Sequence, residues 1–250
     1  MIALPGKARR AAARGLLLLA AGFALAGCAL LNADSPVDLY TLTPKSRFDE
    51  NIPNVFWQLV IEVPVAPANI NTGRIALSKS PTSSDYYADS GWTDRAPLMV
   101  QTLMVDSFEN SRRIVAVSRE TTELRPNYVL QTDLREFQAE YFHDNGAPIV
   151  RVRIVAKLVA MPDRQIIGSR AFERCYRAKE NKLPAIVRAY DEALGSVIRR
   201  LVAWTLSAPP PYPQPEGAFT GARYRNPSSQ TEDSNNCPRF GQIGNVPVAE

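Results

Sequence analysis

The sequence has little of what most enzymes need: a single histidine, His143, and three cysteines, Cys28, Cys175 and Cys237, occur among 250 residues. One histidine cannot build a histidine-rich metal site, and His143 sits beside Asp144 in a predicted turn, which makes it a poor triad base. We interpret it as a solvated loop residue. No glycine-rich phosphate loop follows a predicted strand, and no nucleophile-elbow pattern occurs. The sequence therefore predicts no catalytic residue, no metal ligand and no cofactor, which indicates a protein that is not an enzyme.

Acidic residues are absent from positions 1–27, which contain four basic residues, Lys7, Arg9, Arg10 and Arg14. The whole chain has 29 basic and 25 acidic residues, so removing these four leaves 25 of each sign. A neutral mature chain has no electrostatic reason to seek phosphate backbones, and nucleic acid is therefore excluded as the expected partner.

A long apolar run is also missing. Residues 1–27 have the order of a secretory signal peptide, with a basic segment, a short apolar segment and then small residues. The apolar stretch "LLLLAAGFALAG" ends before the ~20 residues that a membrane-spanning helix needs. We predict that 1–27 is a signal peptide; a retained signal anchor is the alternative.

Cys28 directly follows this leader, in the stretch Leu25-Ala26-Gly27-Cys28. The stretch resembles the lipobox of bacterial lipoproteins, in which the cysteine thiol takes a diacylglyceryl group and the freed amine is acylated. Several acyl chains make attachment durable, whereas one chain binds a membrane only marginally. We expect residues 28–33 to form a lipidated linker. Ala29 stands where an aspartate would favour inner-membrane retention in enterobacterial lipoproteins, so we expect the outer membrane.

Residues 34–207 alternate between strand and helix patterns without a long linker, which predicts one domain of class α+β. We expect a mostly antiparallel sheet with two amphipathic helices packed on it. The stretch "APLMVQTLMVDSFENS" predicts the first helix. The stretch "LPAIVRAYDEALGSVIRRLVAWTL" predicts the second, because its apolar residues recur every three or four positions.

Three consecutive strands are predicted to form an antiparallel meander, the first two joined by a hairpin turn at Asn145-Gly146. In the middle strand we expect one buried row, consisting of Val150, Val152, Ile154, Ala156 and Leu158. On the other face, Arg151, Arg153 and Lys157 form a basic stripe. We interpret this stripe as a solvated sheet face; a surface for lipid headgroups or a partner is the alternative.

After Ser207 the composition becomes rich in proline and polar residues, as in "APPPYPQPEG". We predict that 208–250 is an extended tail, disordered by default, although it could reach a partner. Cys175 and Cys237 suit a disulfide in an exported protein. Such a bond would pin part of the tail to the strand that contains Cys175.

Several stretches together resemble the ABC-type transport auxiliary lipoproteins, a family that includes the outer-membrane component of the paraquat-inducible intermembrane transport system. The resemblance covers about residues 34–206 and lies in "PVDLYTLTP", "VPVAPANINTGRIALS", "DYYADSGWTDRAPLMVQTLMVDSFENS" and "NYVLQTDLREFQAEY". These motifs are structural, so Cys28 is the one functional residue that the resemblance transfers. Trp92 lies in the third stretch; we interpret it as a packing residue, and a contact surface is the alternative.

The resemblance implies a non-enzymatic lipoprotein on the periplasmic face of a Gram-negative outer membrane. Its expected partner is the MCE-domain substrate-binding subunit of an ABC transporter that moves lipids between membranes. One alternative is a pilotin-like or outer-membrane assembly lipoprotein that chaperones another envelope protein, and another is a periplasmic hydrolase. The sequence leaves the transported lipid and the oligomeric state open, including a homo-oligomer.

Overall fold

The computed structural model describes residues 37–119, 125–143, 146–209, 237–238 and 246–249. Eight strands and two helices occur in these ranges. The elements before the meander are β1 (Asp38–Tyr40), β2 (Val55–Ile61), β3 (Arg74–Ser78), β4 (Asp85–Trp92), α1 (Ala96–Ser111) and β5 (Ile114–Arg119). The meander and the closing helix are β6 (Tyr128–Glu140), β7 (Ile149–Ala160), β8 (Gln165–Arg177) and α2 (Leu183–Leu206).

All eight strands belong to one mixed sheet. Along one path the order is β1-β4-β3-β6-β2-β5, and β7 lies on the other side of β6 with β8 beyond it. The long strand β6 makes this branching possible, because β2 pairs with its first residues and β3 with its last ones. The long β6–β7 and β7–β8 pairs are antiparallel, whereas β2 and β3 each run parallel to β6. The predicted α+β class, with a sheet and two helices, is confirmed.

The predicted alternation in β7 is confirmed. Its buried row is at most 2% exposed and consists of Val150, Val152, Ile154, Ala156 and Leu158. This row belongs to the main core, together with the buried residues of both helices. The predicted turn residue Asn145 lies outside the described residues.

Both helices match the two predicted segments. Each has a proline in its first turn, where the missing N–H has no intrahelical partner to lose. Arg112 caps the C-terminus of α1. It has a left-handed φ of 54° and donates its N–H to the carbonyl of Glu109. In α2 the apolar stripe includes Val197 and Leu201, both fully buried; each such side chain contributes ~1.5–3 kcal/mol of hydrophobic stabilisation. No helix in the described ranges is both long and apolar enough to cross a bilayer.

Three aromatic rings pack against one another where α2 contacts the sheet. Trp92 is 3% exposed, and its ring centroid lies 5.2 Å from that of Tyr190 and 5.6 Å from that of Phe137. Offset and edge-to-face contacts at these distances contribute beyond the area they bury. The interpretation of Trp92 as a packing residue is therefore confirmed.

Candidate functional site

Cys28, the predicted lipidation site, lies outside the described residues, and its modification stays a prediction. The described chain begins at Val37 and enters β1, the strand at one end of the sheet path. β1 pairs in parallel with β4, with Tyr40 opposite Trp92. The first strand of the described chain is thus part of the sheet.

The segment after β1 then crosses both helices. Thr43 donates its N–H and its hydroxyl to Oδ1 of Asp191 on α2, at 2.7 and 2.9 Å. Two residues later, the Lys45 N–H donates to Oγ of Ser107 on α1 at 3.0 Å, and the Asn110 side chain donates to the Lys45 carbonyl at 3.2 Å. These bonds tie the N-terminal segment to both helices.

Lys45 reaches this position by lying against α2 at Gly195. A Cβ atom at that position would overlap the Cε atom of Lys45, so glycine opens the passage for the lysine side chain. Gly195 is costly inside a helix on propensity grounds. The close approach of Lys45 explains why a glycine occupies this position in the helix.

The second candidate feature is a buried ion cluster on the sheet face opposite the helices. It centres on Arg151 of β7, which lies opposite Gln138 of β6 and Cys175 of β8. Glu140 and Glu173 each stand two residues from these partners, and strand alternation therefore directs both carboxylates to the same face as Arg151. We call Glu140, Arg151 and Glu173 the Arg151 cluster.

Each donor group of Arg151 has its own acceptor. Nε donates to Oε1 of Glu140 at 2.8 Å, Nη1 to Oε1 of Glu173 at 2.6 Å, and Nη2 to the carbonyl of Pro238 at 2.6 Å. The side chains of Glu140 and Glu173 are 4% and 9% exposed, and that of Arg151 is 17% exposed. Burial opposes the charge on Arg151, but the two carboxylates outweigh it and hold the pKa of the guanidinium above its ordinary value.

These contacts correct the interpretation of the basic stripe. Arg151 is not solvated, because two glutamates and a segment of the tail cover it. Arg153 is half-buried and lies opposite Glu136 on one side and Glu173 on the other. Lys157 borders a shallow cleft with Glu62 and Asp133. The sequence alternation in β7 predicted the correct sheet face for these basic side chains. Their exposure depends on the acidic residues opposite them, which the alternation does not identify.

The interpretation of His143 as a solvated loop residue was wrong. Its side chain is 2% exposed, and Nε2 lies 2.6 Å from Oε2 of Glu140. Because an ionised carboxylate only accepts hydrogen bonds, Nε2 carries the proton in this contact. Within the described residues Nδ1 is buried without a hydrogen-bond partner. His143 thus occupies the second oxygen of Glu140, and Arg151 occupies the first.

Next to the cluster, the structure joins the sulfur atoms of Cys175 and Cys237, with the two Cα atoms 5.1 Å apart. Cys175 is fully buried, and Ile149 and Val246 pack beside it. The tail therefore contacts the domain through residues 237–238 and again through 246–249. The remainder of the tail, 210–236, 239–245 and residue 250, lies outside the described residues.

The last described residues of the tail also pair with β8. Arg177 donates its N–H to the Pro247 carbonyl at 2.8 Å, and Ala249 donates its N–H to the Arg177 carbonyl at 3.0 Å. Ala249 is 3% exposed and belongs to the main core. These six tail residues are thus packed on the domain, which differs from the extended tail that their composition predicts.

The described residues bring together one group of three side chains of metal-ligating type, Glu173, Cys175 and Cys237. Its two sulfurs are bonded to each other, and the carboxylate is engaged by Arg151. A thiolate is the form that ligates a metal, and a disulfide offers none. The chemistry of this group is therefore that of a structural or redox-active bond.

Sequence reasoning placed Cys175 and Cys237 together but missed the Arg151 cluster. The signal was present, because Glu140, Arg151 and Glu173 all fall on one face once the meander register is drawn. The burial of the cluster could not be read from that pattern, since part of its cover comes from Pro238, which is 87 residues away from Arg151.

Comparison with known proteins gives the family. The profile of the family described as ABC-type transport auxiliary lipoprotein component matches residues 40–202. A crystal structure of protein XCC0632 from Xanthomonas campestris has 30% sequence identity and a TM-score of 0.65, and the match covers 68% of this chain and 95% of that one. A crystal structure of another, uncharacterized protein has 13% identity and a TM-score of 0.54, covering 68% of this chain and 99% of that one. The second likeness concerns the fold alone.

A curated relative, protein bll6063 of Bradyrhizobium diazoefficiens, is 28% identical over 150 residues. The match covers 60% of this chain and 40% of the relative, so the chain spans less than half the length of that protein. The profile match covers more than half of the chain and includes all ten elements except the end of the closing helix and part of the first strand. The chain therefore belongs to the family of ABC-type transport auxiliary lipoprotein components.

Proposed function

We propose that this protein is anchored to the outer membrane by lipid on Cys28 and docks the periplasmic MCE-domain subunit of an ABC-type lipid transporter against that membrane. The family match is the observation that carries the proposal. A lipoprotein of this family belongs to the cell envelope. The lipobox-like stretch Leu25-Ala26-Gly27-Cys28 supplies the site of the anchor, and Ala29 favours the outer membrane over the inner one.

The attachment of the N-terminal segment supports this role. Asp38 at the start of β1 is ten positions after Cys28, and an extended chain spans at most about 3.3–3.6 Å per residue. The tether is therefore limited to about 35 Å. Thr43 and Lys45 then fix the same segment to both helices. The domain is held near its membrane as one body, and a partner must come to it.

A docking role needs surfaces that a partner can reach, on a domain that keeps its shape. The charged groups of the Arg151 cluster pair with one another, and Tyr190 packs within the aromatic core. Such groups stabilise a fold. The exposed faces of the sheet and helices remain for a partner.

The anchor is tested by fractionation of the full-length precursor. We expect wild-type protein in the outer membrane, with an amino-terminal cysteine that carries a diacylglyceryl group and an N-acyl chain by intact mass, and Cys28→Ala unprocessed or released from that membrane. Cys237→Ser is the matched control, because it removes a cysteine outside the lipobox and should leave fractionation unchanged. A Cys28→Ala protein that still fractionates with the outer membrane and supports transport would overturn the lipid anchor.

The partner is tested separately by affinity purification of the tagged, lipidated protein from membranes after mild cross-linking. We expect an MCE-domain subunit to co-purify with the wild type. Recovery of a secretin or an outer-membrane barrel in its place would favour the pilotin-like alternative and contradict the transport role. The same purification from Cys28→Ala cells shows whether the contact depends on membrane attachment.

A further inference from the structure

Two features of the sheet's outer face have no part in the proposed docking role: the Cys175–Cys237 bond and the tail segments beside it. We propose that this disulfide is a redox-controlled latch, which holds the end of the tail over the Arg151 cluster and releases it when a protein dithiol reduces the bond. The proposal does not depend on the identity of the transport partner. It rests on the contacts between the tail and strands β7 and β8.

Non-covalent contacts also hold the described tail residues on the sheet. They include the Pro238 carbonyl on Arg151, the pair of backbone bonds between Arg177 and the 247–249 segment, and the packing of Val246 and Ala249. Val248, between them, is 52% exposed. Pro238, Val246 and Ala249 are buried, but they belong to segments of two and four described residues near the end of the chain, and such chain ends open at a low free-energy cost. The covalent bond therefore contributes a large share of what holds the tail in place.

The two cysteines differ in solvent exposure, and this difference determines which sulfur an incoming thiolate attacks. Cys175 is fully buried, whereas Cys237 is only half-buried. A thiolate of the incoming dithiol attacks Sγ of Cys237, the S–S bond breaks, and Cys175 leaves as a thiolate that takes a proton. The second thiol of the reductant then attacks the mixed disulfide and frees Cys237. Two electrons and two protons pass from the dithiol, which becomes a disulfide, to the two cysteines.

Release changes the surface at this end of the sheet. Ile149 is 1% exposed and Cys175 is fully buried, and both lose their cover from Cys237 and Val246. Arg151 loses the Pro238 carbonyl, so water can reach its Nη2 and the carboxylates beside it. The Arg177 backbone loses its hydrogen bonds to Pro247 and Ala249. The oxidised protein hides an apolar and ionic strand end that the reduced protein presents.

Amide hydrogen exchange on the full mature chain, residues 28–250, tests the latch. The chain carries Cys28→Ser, so that Cys175 and Cys237 are its two thiols, and it is measured oxidised and after treatment with dithiothreitol, with thiols counted by alkylation. We expect exchange at the Arg177 and Ala249 amides to become about tenfold faster or more on reduction. The Val152 and Ile154 amides in the centre of the meander should be unchanged.

Cys237→Ser should reproduce the exchange of the reduced protein without any reductant, because it removes the bond and keeps the buried cysteine. Unchanged exchange at Arg177 and Ala249 after complete reduction would overturn the latch, since the tail would then stay docked by its other contacts. Faster exchange throughout the meander would also overturn the latch, because the bond would then stabilise the whole fold and not the tail alone. Failure of dithiothreitol to reduce the folded protein would show that the bond is not redox-accessible, and would also refute the proposal.

Discussion

The hydroxyl of Tyr190 donates a hydrogen bond of 2.7 Å to the carbonyl of Ala76, and thereby joins the closing helix α2 to strand β3. Tyr190 is fully buried, and burial raises the pKa of its phenol well above the ordinary value. The two bonded residues are 114 positions apart along the chain. It adds a directional contact to a helix face that is otherwise held by apolar packing.

Tyr190→Phe keeps the ring contacts with Trp92 and Phe137 and removes the hydroxyl. We expect the free energy of unfolding to fall by about 1–3 kcal/mol, because the Ala76 carbonyl is left buried without this donor. Urea denaturation followed by tryptophan fluorescence measures the change. Tyr86→Phe is the control: this half-buried ring lies under Arg74 at 3.9 Å, and its variant should stay close to wild type. Equal losses for the two variants would contradict the assigned role of the Tyr190 bond.

Arg151→Met should destabilise the protein strongly, by about 3–5 kcal/mol, because it leaves the carboxylates of Glu140 and Glu173 buried without their cation. Replacing all three residues, with Arg151→Met, Glu140→Gln and Glu173→Gln, should recover much of that loss, since no uncompensated charge remains. Chemical denaturation of the single and triple variants measures both effects.

Arg135→Met is the matched control for this prediction. Arg135 lies on β6 in a solvent-exposed pair with Asp133, with its side chain 56% exposed and the nearest N–O distance 3.7 Å. Such pairs contribute about 0–1 kcal/mol. If Arg151→Met proves no more destabilising than Arg135→Met, the cluster is better solvated than its geometry indicates.

Glu136 predicts a pH dependence. Burial, and then the negative charge of Glu140, raise the pKa of the Glu136 carboxyl above its ordinary value. The folded state therefore holds this proton more tightly than the unfolded state, whose glutamates titrate near about pH 4.3. The stability that this group contributes is fully present below the unfolded pKa and is lost as the pH rises through the raised, folded pKa.

Glu136→Gln removes this loss, so we expect the variant to be more stable than wild type at pH 7 and the difference to shrink toward pH 4. Urea denaturation across this range gives the difference at each pH. Glu180→Gln is the control, because Glu180 forms an exposed pair with Lys182, with its side chain 52% exposed. A stability difference for Glu136→Gln that stays constant from pH 4 to 7 would show that this carboxyl has the same pKa in both states.

Much of the fold could be predicted because its signals are local. The 3.6-residue periodicity marked α1 and α2, and the alternation in β7 marked the buried row from Val150 to Leu158. Turn residues separate the meander strands. These patterns arise from a few neighbouring residues, each of which must choose one face of its own element.

The pairing of strands and the ion cluster depend on contacts that no local pattern encodes. β2 and β3 share the same side of β6 because β6 is long enough for both, and the sequence around β2 does not record this. His143 looked solvated because it follows a strand near a turn. Its burial depends on Glu140, and the neighbouring Arg151 depends on a tail carbonyl from Pro238.

The residue after the lipobox cysteine provides a test of membrane choice that leaves the folded domain untouched. Ala29→Asp should shift the protein from the outer to the inner membrane in an enterobacterial host, because the proposed sorting signal lies next to the proposed lipidation site. Sucrose-gradient fractionation measures the shift, and Ala29→Ser should stay with the outer membrane. Because the tether between Cys28 and Asp38 is limited to about 35 Å, a relocated domain could no longer hold the partner against the outer membrane. Transport should therefore fail while the level of folded protein is unchanged; transport that continues at the wild-type rate from the inner membrane would refute the docking role.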